Sequence, residues 1–158
     1  MSIIAPGTPV PEFRLKREDG SWFTHEDLVG KTTVLVFYPF AFSSVCTDQM
    51  QVYEEALEDF ADAGVTLYGV STDAFHSQRA FKEHLGISIE QLSDFEPKGA
   101  VSRAFGAYFV PAGMTNRALV IIAPDATVAW SHLAATPGDL PGVGLIFDGL
   151  SQIRNTSV

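Results

Sequence analysis

The stretch TVLVFYPFAFSSVC, residues 33–46, decides the fold and raises the question of function. Its first six residues, Thr33 to Tyr38, form a continuous apolar and β-branched run. Such a run suits a strand covered on both faces rather than one exposed to water on alternate residues. Pro39 fixes its own φ and drives Tyr38 toward extended geometry, so the strand is predicted to end there. Residues 44 to 62 follow as a predicted helix, in which Met50, Tyr53, Leu57 and Phe60 recur at three or four residues and make one apolar stripe. Gly64 ends it.

The rest of the chain repeats this alternation. Phe13 to Lys16, the Asp19-Gly20 turn signal and Ser21 to Thr24 predict an N-terminal hairpin. Val65 to Ser71 is a second buried strand, and Phe75 to Leu85 a second helix closed by Gly86. A short stretch near Leu92 leads to a brief helix over Gly99 to Phe105. Arg117 to Ala123 and Val128 to Leu133 are strands joined at Pro124-Asp125, and so a hairpin. Pro141 to Ile153 is a closing helix with proline in its first turn, and Asn155 to Val158 are expected to be loose. This order implies an α/β domain over residues 1–158 with a mixed sheet and helices on both faces.

Composition excludes several function classes. The 158 residues carry 19 acidic and 10 basic side chains, a formal charge of -9. That balance repels nucleic-acid phosphates and anionic membranes, and no basic cluster offsets it. No apolar run reaches the roughly 18 residues a bilayer span needs, and the N-terminus lacks the form of a secretory signal. The cysteine count is one, which rules out a disulfide within the chain and a several-cysteine zinc site. A cytoplasmic location is the expectation that follows. His25, His76, His84 and His132 lack metal-ligand spacing, and the acidic run from Glu54 to Asp62 reads as a solvated helix face. GVGL at 142–145 follows no strand, so it is not a dinucleotide motif. Asn155-Thr156-Ser157 has the form of a glycosylation sequon without a secretory context.

The single thiol, Cys46, falls in the first turn of the predicted helix, where Ser43 or Ser44 can cap. The first N–H groups of a helix are unpaired and its dipole is positive there, which favours a thiolate. Ionisation alone gives little: a free thiol with pKa ~8.5 is about 3% ionised at pH 7, so complete ionisation gains only ~30-fold. A catalytic Cys46 therefore needs groups that stabilise charge on its substrate. Ser43, three residues before the sulfur, is one candidate, and Arg117, at the start of a predicted strand, is the cation of choice. The competing reading is that Cys46 packs as a small hydrophobe, Ser43 only caps and Arg117 is a solvated surface charge.

Pro39, Ser43 and Cys46 spell P-x-x-x-S-x-x-C. This resembles the active-site motif of the peroxiredoxins, thiol peroxidases on a thioredoxin-like fold, with serine in place of the usual threonine. VLVFYPFAFSSVCTDQ, LYGVSTD, LSDFEPKGAVSRAFGAY and NRALVIIAPDATV are similar to family segments in the family's order, from about Ala5 to Ile153. The resemblance is nearest to the one-cysteine alkyl hydroperoxide reductase E type. It implies a three-layer α/β/α fold and a cycle in which Cys46 attacks a hydroperoxide and becomes a sulfenic acid. It gives Ser43, Arg117 and the Cys46 N–H the task of binding the peroxide oxygens, and Pro39 that of shielding the sulfur. It implies no cofactor and no metal. Gln51 stands where some relatives have a second cysteine. An external thiol must therefore resolve the sulfenic acid: a low-molecular-weight thiol such as mycothiol, or a thioredoxin- or glutaredoxin-like protein. Gln49 occupies a position where many relatives have glutamate, and Phe81 one where some have tryptophan. Phe40, Phe42 and Met114 are candidates for an apolar collar that favours organic hydroperoxides, with core packing or a dimer contact as the alternative. The resemblance further implies a homodimer paired beside the active site. A peroxide sensor with little turnover and an inert binding module remain as competing functions.

Overall fold

The computed structural model describes residues 2–156, and side chains as far as Ile153. Ser157 and Val158, the end of the expected loose tail and of the sequon, lie outside the described residues. Nine strands are described: β1 (Arg14–Arg17), β2 (Trp22–Thr24), β3 (Thr32–Phe37), β4 (Val65–Ser71), β5 (Glu90–Ser93), β6 (Tyr108–Phe109), β7 (Met114–Thr115), β8 (Ala118–Ile122) and β9 (Val128–Leu133). The α-helices are α1 (Ser44–Glu55), α2 (Leu57–Asp62), α3 (Phe75–Leu85), α4 (Ala100–Ala104) and α5 (Val143–Thr156). Seven strands form one mixed sheet in the order β2-β1-β5-β4-β3-β8-β9, and β6 pairs with β7 in a small ribbon apart from it.

β3, β4 and β5 run parallel, while β8 and β9 on one side and β1 and β2 on the other run antiparallel. Strand periodicity then sorts the side chains of β3 between two layers. Val34, Val36 and Tyr38 join Met50 and Tyr53 of α1, Phe60 of α2, Phe81 of α3 and Ile146 and Leu150 of α5. Leu35 and Phe37 join the hairpin residues Leu15 and Phe23, Val101 of α4 and Phe105 at its end. The architecture is thus the three-layer, thioredoxin-like one. Its helices are unevenly divided, with α1, α2, α3 and α5 on one face and α4 on the other.

The parallel strands bring their carboxyl ends to the same edge of the molecule, where ligands bind in open α/β sheets. The 39–43 loop leaves β3 there. Gly69, midway along β4, leaves room for Gln91, since a Cβ at this position would meet the Gln91 amide at 2.4–2.9 Å. Gln91 Oε1 in turn accepts the Tyr38 hydroxyl at 2.7 Å, and so holds the residue just before Pro39. Burial pushes the Tyr38 phenol upward, so this donor stays protonated.

Several boundaries differ from the sequence reading. The single helix over 44–62 is two, α1 and α2, broken at Ala56 (φ -98°, ψ 2°). Alanine is the strongest helix former, so packing sets this break, not propensity: Ala56 lies in the core, and Leu57 and Phe60 still reach it. Pro141 precedes α5 rather than sitting in its first turn, and Asn155 and Thr156 are helical rather than loose. Arg117 stands one residue before β8. Among the described residues no helix is long and apolar enough to cross a membrane.

Candidate active site

The chain leaves β3 through the buried Tyr38 and Pro39 and turns into α1 at Ser43. The turn uses Phe42 in the left-handed region, φ 69°, a conformation that costs a non-glycine residue about 1–3 kcal/mol. Two contacts hold it. The Ala41 N–H donates to Asp73 Oδ2 at 2.8 Å, and the Phe42 ring lies 5.3 Å from that of Phe81. Asp73 is itself fixed by the Ser71 hydroxyl, which donates to Oδ2 at 2.7 Å.

Of the two serines, Ser43 is the cap: its Oγ accepts the Cys46 N–H at 3.3 Å. The Ser43 hydroxyl proton is left to donate elsewhere. Cys46 is fully buried. Arg117 reaches it across the sheet, from the residue before β8, and donates from Nη2 to Sγ at 3.2 Å. The sulfur thus lies between the positive pole of α1 and a guanidinium.

Arg117 is only 1% exposed, and its other bonds explain how it is held. Nη1 donates to Gln49 Oε1 at 2.6 Å and Nε to the Pro137 carbonyl at 2.8 Å. Both acceptors are neutral. Among the described residues no carboxylate lies within 4.0 Å of the guanidinium. A buried cation without a counter-ion is costly, so these neutral acceptors and the sulfur carry the whole task of satisfying its donors.

A second layer fixes Gln49. Its Nε2 donates to the Tyr53 hydroxyl at 3.2 Å, and that hydroxyl donates to the Pro141 carbonyl at 2.6 Å. Burial pushes the Tyr53 phenol up to about 12, against the opposing influence of Gln49 and Arg117, so it remains a donor throughout the neutral range. The carbonyls of Pro137 and Pro141 strap the segment before α5 onto this network. Tyr53→Phe leaves the Pro141 carbonyl and a Gln49 N–H unpaired, and is expected to lower unfolding free energy in urea by about 1–3 kcal/mol.

Cys46, Ser43 and Arg117 come together, and Pro39 is buried two residues past the end of β3. Gln49, which sequence reasoning left without a task, is the side chain that holds Arg117. Tyr53 was legible only as part of the apolar stripe, although its hydroxyl was the available signal. The Pro137 carbonyl has no sequence signal. The three collar residues are less concentrated. Phe40 and Phe42 are 43% and 53% exposed, and the Phe42 ring rests against Phe81 and His84 of α3. Met114 is half-buried in β7, opposite Phe109 of β6.

A thioredoxin-like sheet that carries an arginine-bonded cysteine at the start of the helix after β3 defines a narrow class of proteins. The chain belongs to the AhpC/TSA family, which it matches over residues 6–131. It is 34% identical over 134 residues to alkyl hydroperoxide reductase C of Amphibacillus xylanus, a match covering 81% of this chain and 70% of that protein. To alkyl hydroperoxide reductase E of Mycobacterium tuberculosis it is 26% identical over 152 residues, covering 96% of this chain and 99% of the other. Among solved structures, AhpC of Enterococcus faecalis superposes with a TM-score of 0.88 at 22% identity, covering 99% of this chain and 95% of that one. AhpC of Mycobacterium tuberculosis superposes at 0.84 and 19%, covering 99% and 97%. These superpositions establish the shared fold.

Proposed function

We propose that this chain is a thiol-dependent peroxidase of the one-cysteine kind, with Cys46 as nucleophile. The observation that carries the reading is the 3.2 Å contact between Arg117 Nη2 and Cys46 Sγ, made by an arginine whose other partners are neutral. The Cys46 thiolate attacks the terminal oxygen of a hydroperoxide. An S–O bond forms, the O–O bond breaks, and its electron pair goes to the departing oxygen, which takes a proton and leaves as an alcohol or water. Sulfur is oxidised to a sulfenic acid and the peroxide is reduced. Arg117 and the Ser43 hydroxyl serve as the donors for the departing oxygen, where negative charge develops. Pro39 limits water at the sulfur.

The sulfenic acid then reacts with an external thiol, losing water and leaving a mixed disulfide. A second thiol releases the reduced Cys46. With one cysteine in the chain, no other course is internal to it. The sulfur is fully buried, so peroxide and reductant alike reach it only when the 40–43 loop or the first turn of α1 moves, and the reductant needs the larger opening. We assign the reductant to a low-molecular-weight thiol or a thioredoxin- or glutaredoxin-like protein, the setting to the cytoplasm and the assembly to a homodimer, which sedimentation velocity will test. Steady-state peroxide consumption with a panel of such thiols should show turnover with at least one. Turnover with none would assign Cys46 to peroxide sensing instead. If Phe40, Phe42 and Met114 form an apolar collar, a fatty-acid hydroperoxide should oxidise Cys46 faster than hydrogen peroxide does, and equal rate constants would remove the collar.

A further inference from the structure

A second cleft, of about 420 Å³, opens at the carboxyl ends of β4 and β5, and its lining does not include the cysteine site. Its floor is the outer face of the N-terminal hairpin. Trp22, Lys16 and Ser93 lie in register across β2, β1 and β5, with Arg14 on the same face of β1. Phe75, at the start of α3, and Phe95, after β5, form the apolar walls. Phe95 is 56% exposed, a large aromatic ring left open to water.

The charge in this cleft runs against that of the chain. Arg14 and Lys16 both stack on the Trp22 ring, 4.2 and 4.0 Å from its centroid. Among the described residues neither has a carboxylate within 4.0 Å, although acidic side chains outnumber basic ones 19 to 10. Glu96 also lines the cleft but bridges to neither. Two like charges are thus held over one ring without a counter-ion, beside apolar walls that lower the local dielectric and strengthen any charge interaction made there. α3 adds to the same field, because its N-cap is Ala74, which offers no side-chain acceptor to the first N–H groups. Small-molecule sites have this form: a mostly apolar concavity with a few convergent polar groups, at the carboxyl ends of parallel strands.

We propose that this cleft binds small organic carboxylates with an apolar body, the carboxylate on Arg14 and Lys16 and the body between Trp22, Phe75 and Phe95. The site does not depend on the peroxidase reading. Trp22 lies within it, and the chain has only two tryptophans, so the indole N–H signal of Trp22 in a ¹⁵N-labelled sample, assigned with Trp22→Phe, reports occupancy directly. Titration with 2-naphthoate should move that signal saturably, with half-saturation below about 1 mM, whereas 2-naphthamide should bind at least about tenfold more weakly and sulfate should leave it in place. Arg14→Gln with Lys16→Gln should bring naphthoate down to the affinity of the amide. Equal binding of acid and amide would overturn the proposal in favour of a merely greasy cleft. A sulfate shift equal to that of naphthoate would overturn it in favour of solvated surface cations. The absence of a saturable shift up to 10 mM would overturn it outright.

Discussion

Cys46→Ser is expected to abolish peroxide reduction altogether, with loss of activity down to the rate of the uncatalysed reaction. A serine oxygen in this position is neutral at pH 7 and does not attack an O–O bond at a useful rate, so nothing in the site replaces the sulfur. No second cysteine exists to take over. The substitution nearly conserves volume, and Ser43 still caps α1, so the fold should persist. Circular dichroism and a melting curve distinguish loss of chemistry from loss of structure. A folded Cys46→Ser protein that still consumes peroxide would place the reaction elsewhere in the molecule.

Arg117→Ala is the second large effect. Its guanidinium faces the sulfur from 3.2 Å in a site closed to water, where a preorganised donor is worth more than in solvent. Its loss should lower the second-order rate constant for Cys46 oxidation by about 30- to 1000-fold, or roughly 2–4 kcal/mol of transition-state stabilisation. The truncation also leaves Gln49 Oε1 and the Pro137 carbonyl unpaired, so some loss of stability accompanies it. Arg117→Lys keeps the charge without the fork, and one ammonium does not span Sγ, Gln49 and Pro137 at once. It should therefore recover only part of the rate. Stopped-flow oxidation of each variant by the same hydroperoxide gives the comparison, and an Arg117→Ala rate equal to the wild type would show that the wrong cation has been chosen.

Much of the fold was legible because its signals were local. Val65 to Ser71, Phe75 to Leu85 and Val128 to Leu133 form the elements that their apolar runs and Gly86 announced. The Ala56 break was not legible, because alanine signals helix continuation and only the packing of α1 and α2 against the core interrupts it. The β6–β7 ribbon was missed for a different reason: two-residue strands carry no periodicity. At the site, Ser43 and Cys46 were readable from their spacing and helix position. Arg117, 71 residues from the sulfur, was readable from its position only as a plausible cation; the resemblance of its NRA segment gave it a task, and β8 sets it beside β3. The neutral partners of Arg117 could not be anticipated, since one of them is a backbone carbonyl.

The central claim is that the residues around Cys46 bind a peroxide and stabilise its departing oxygen. Ionisation alone limits the gain over free cysteine to ~30-fold at pH 7. One or more donors aimed at the departing oxygen add about 10²–10³. The direct measurement is the second-order rate constant of Cys46 oxidation by an organic hydroperoxide, followed by rapid quench and mass spectrometry of the added oxygen, with free cysteine alongside. A constant at least about 10³-fold above free cysteine is the predicted result. A constant within about 30-fold is no more than a fully ionised free thiol would give, and would contradict the account.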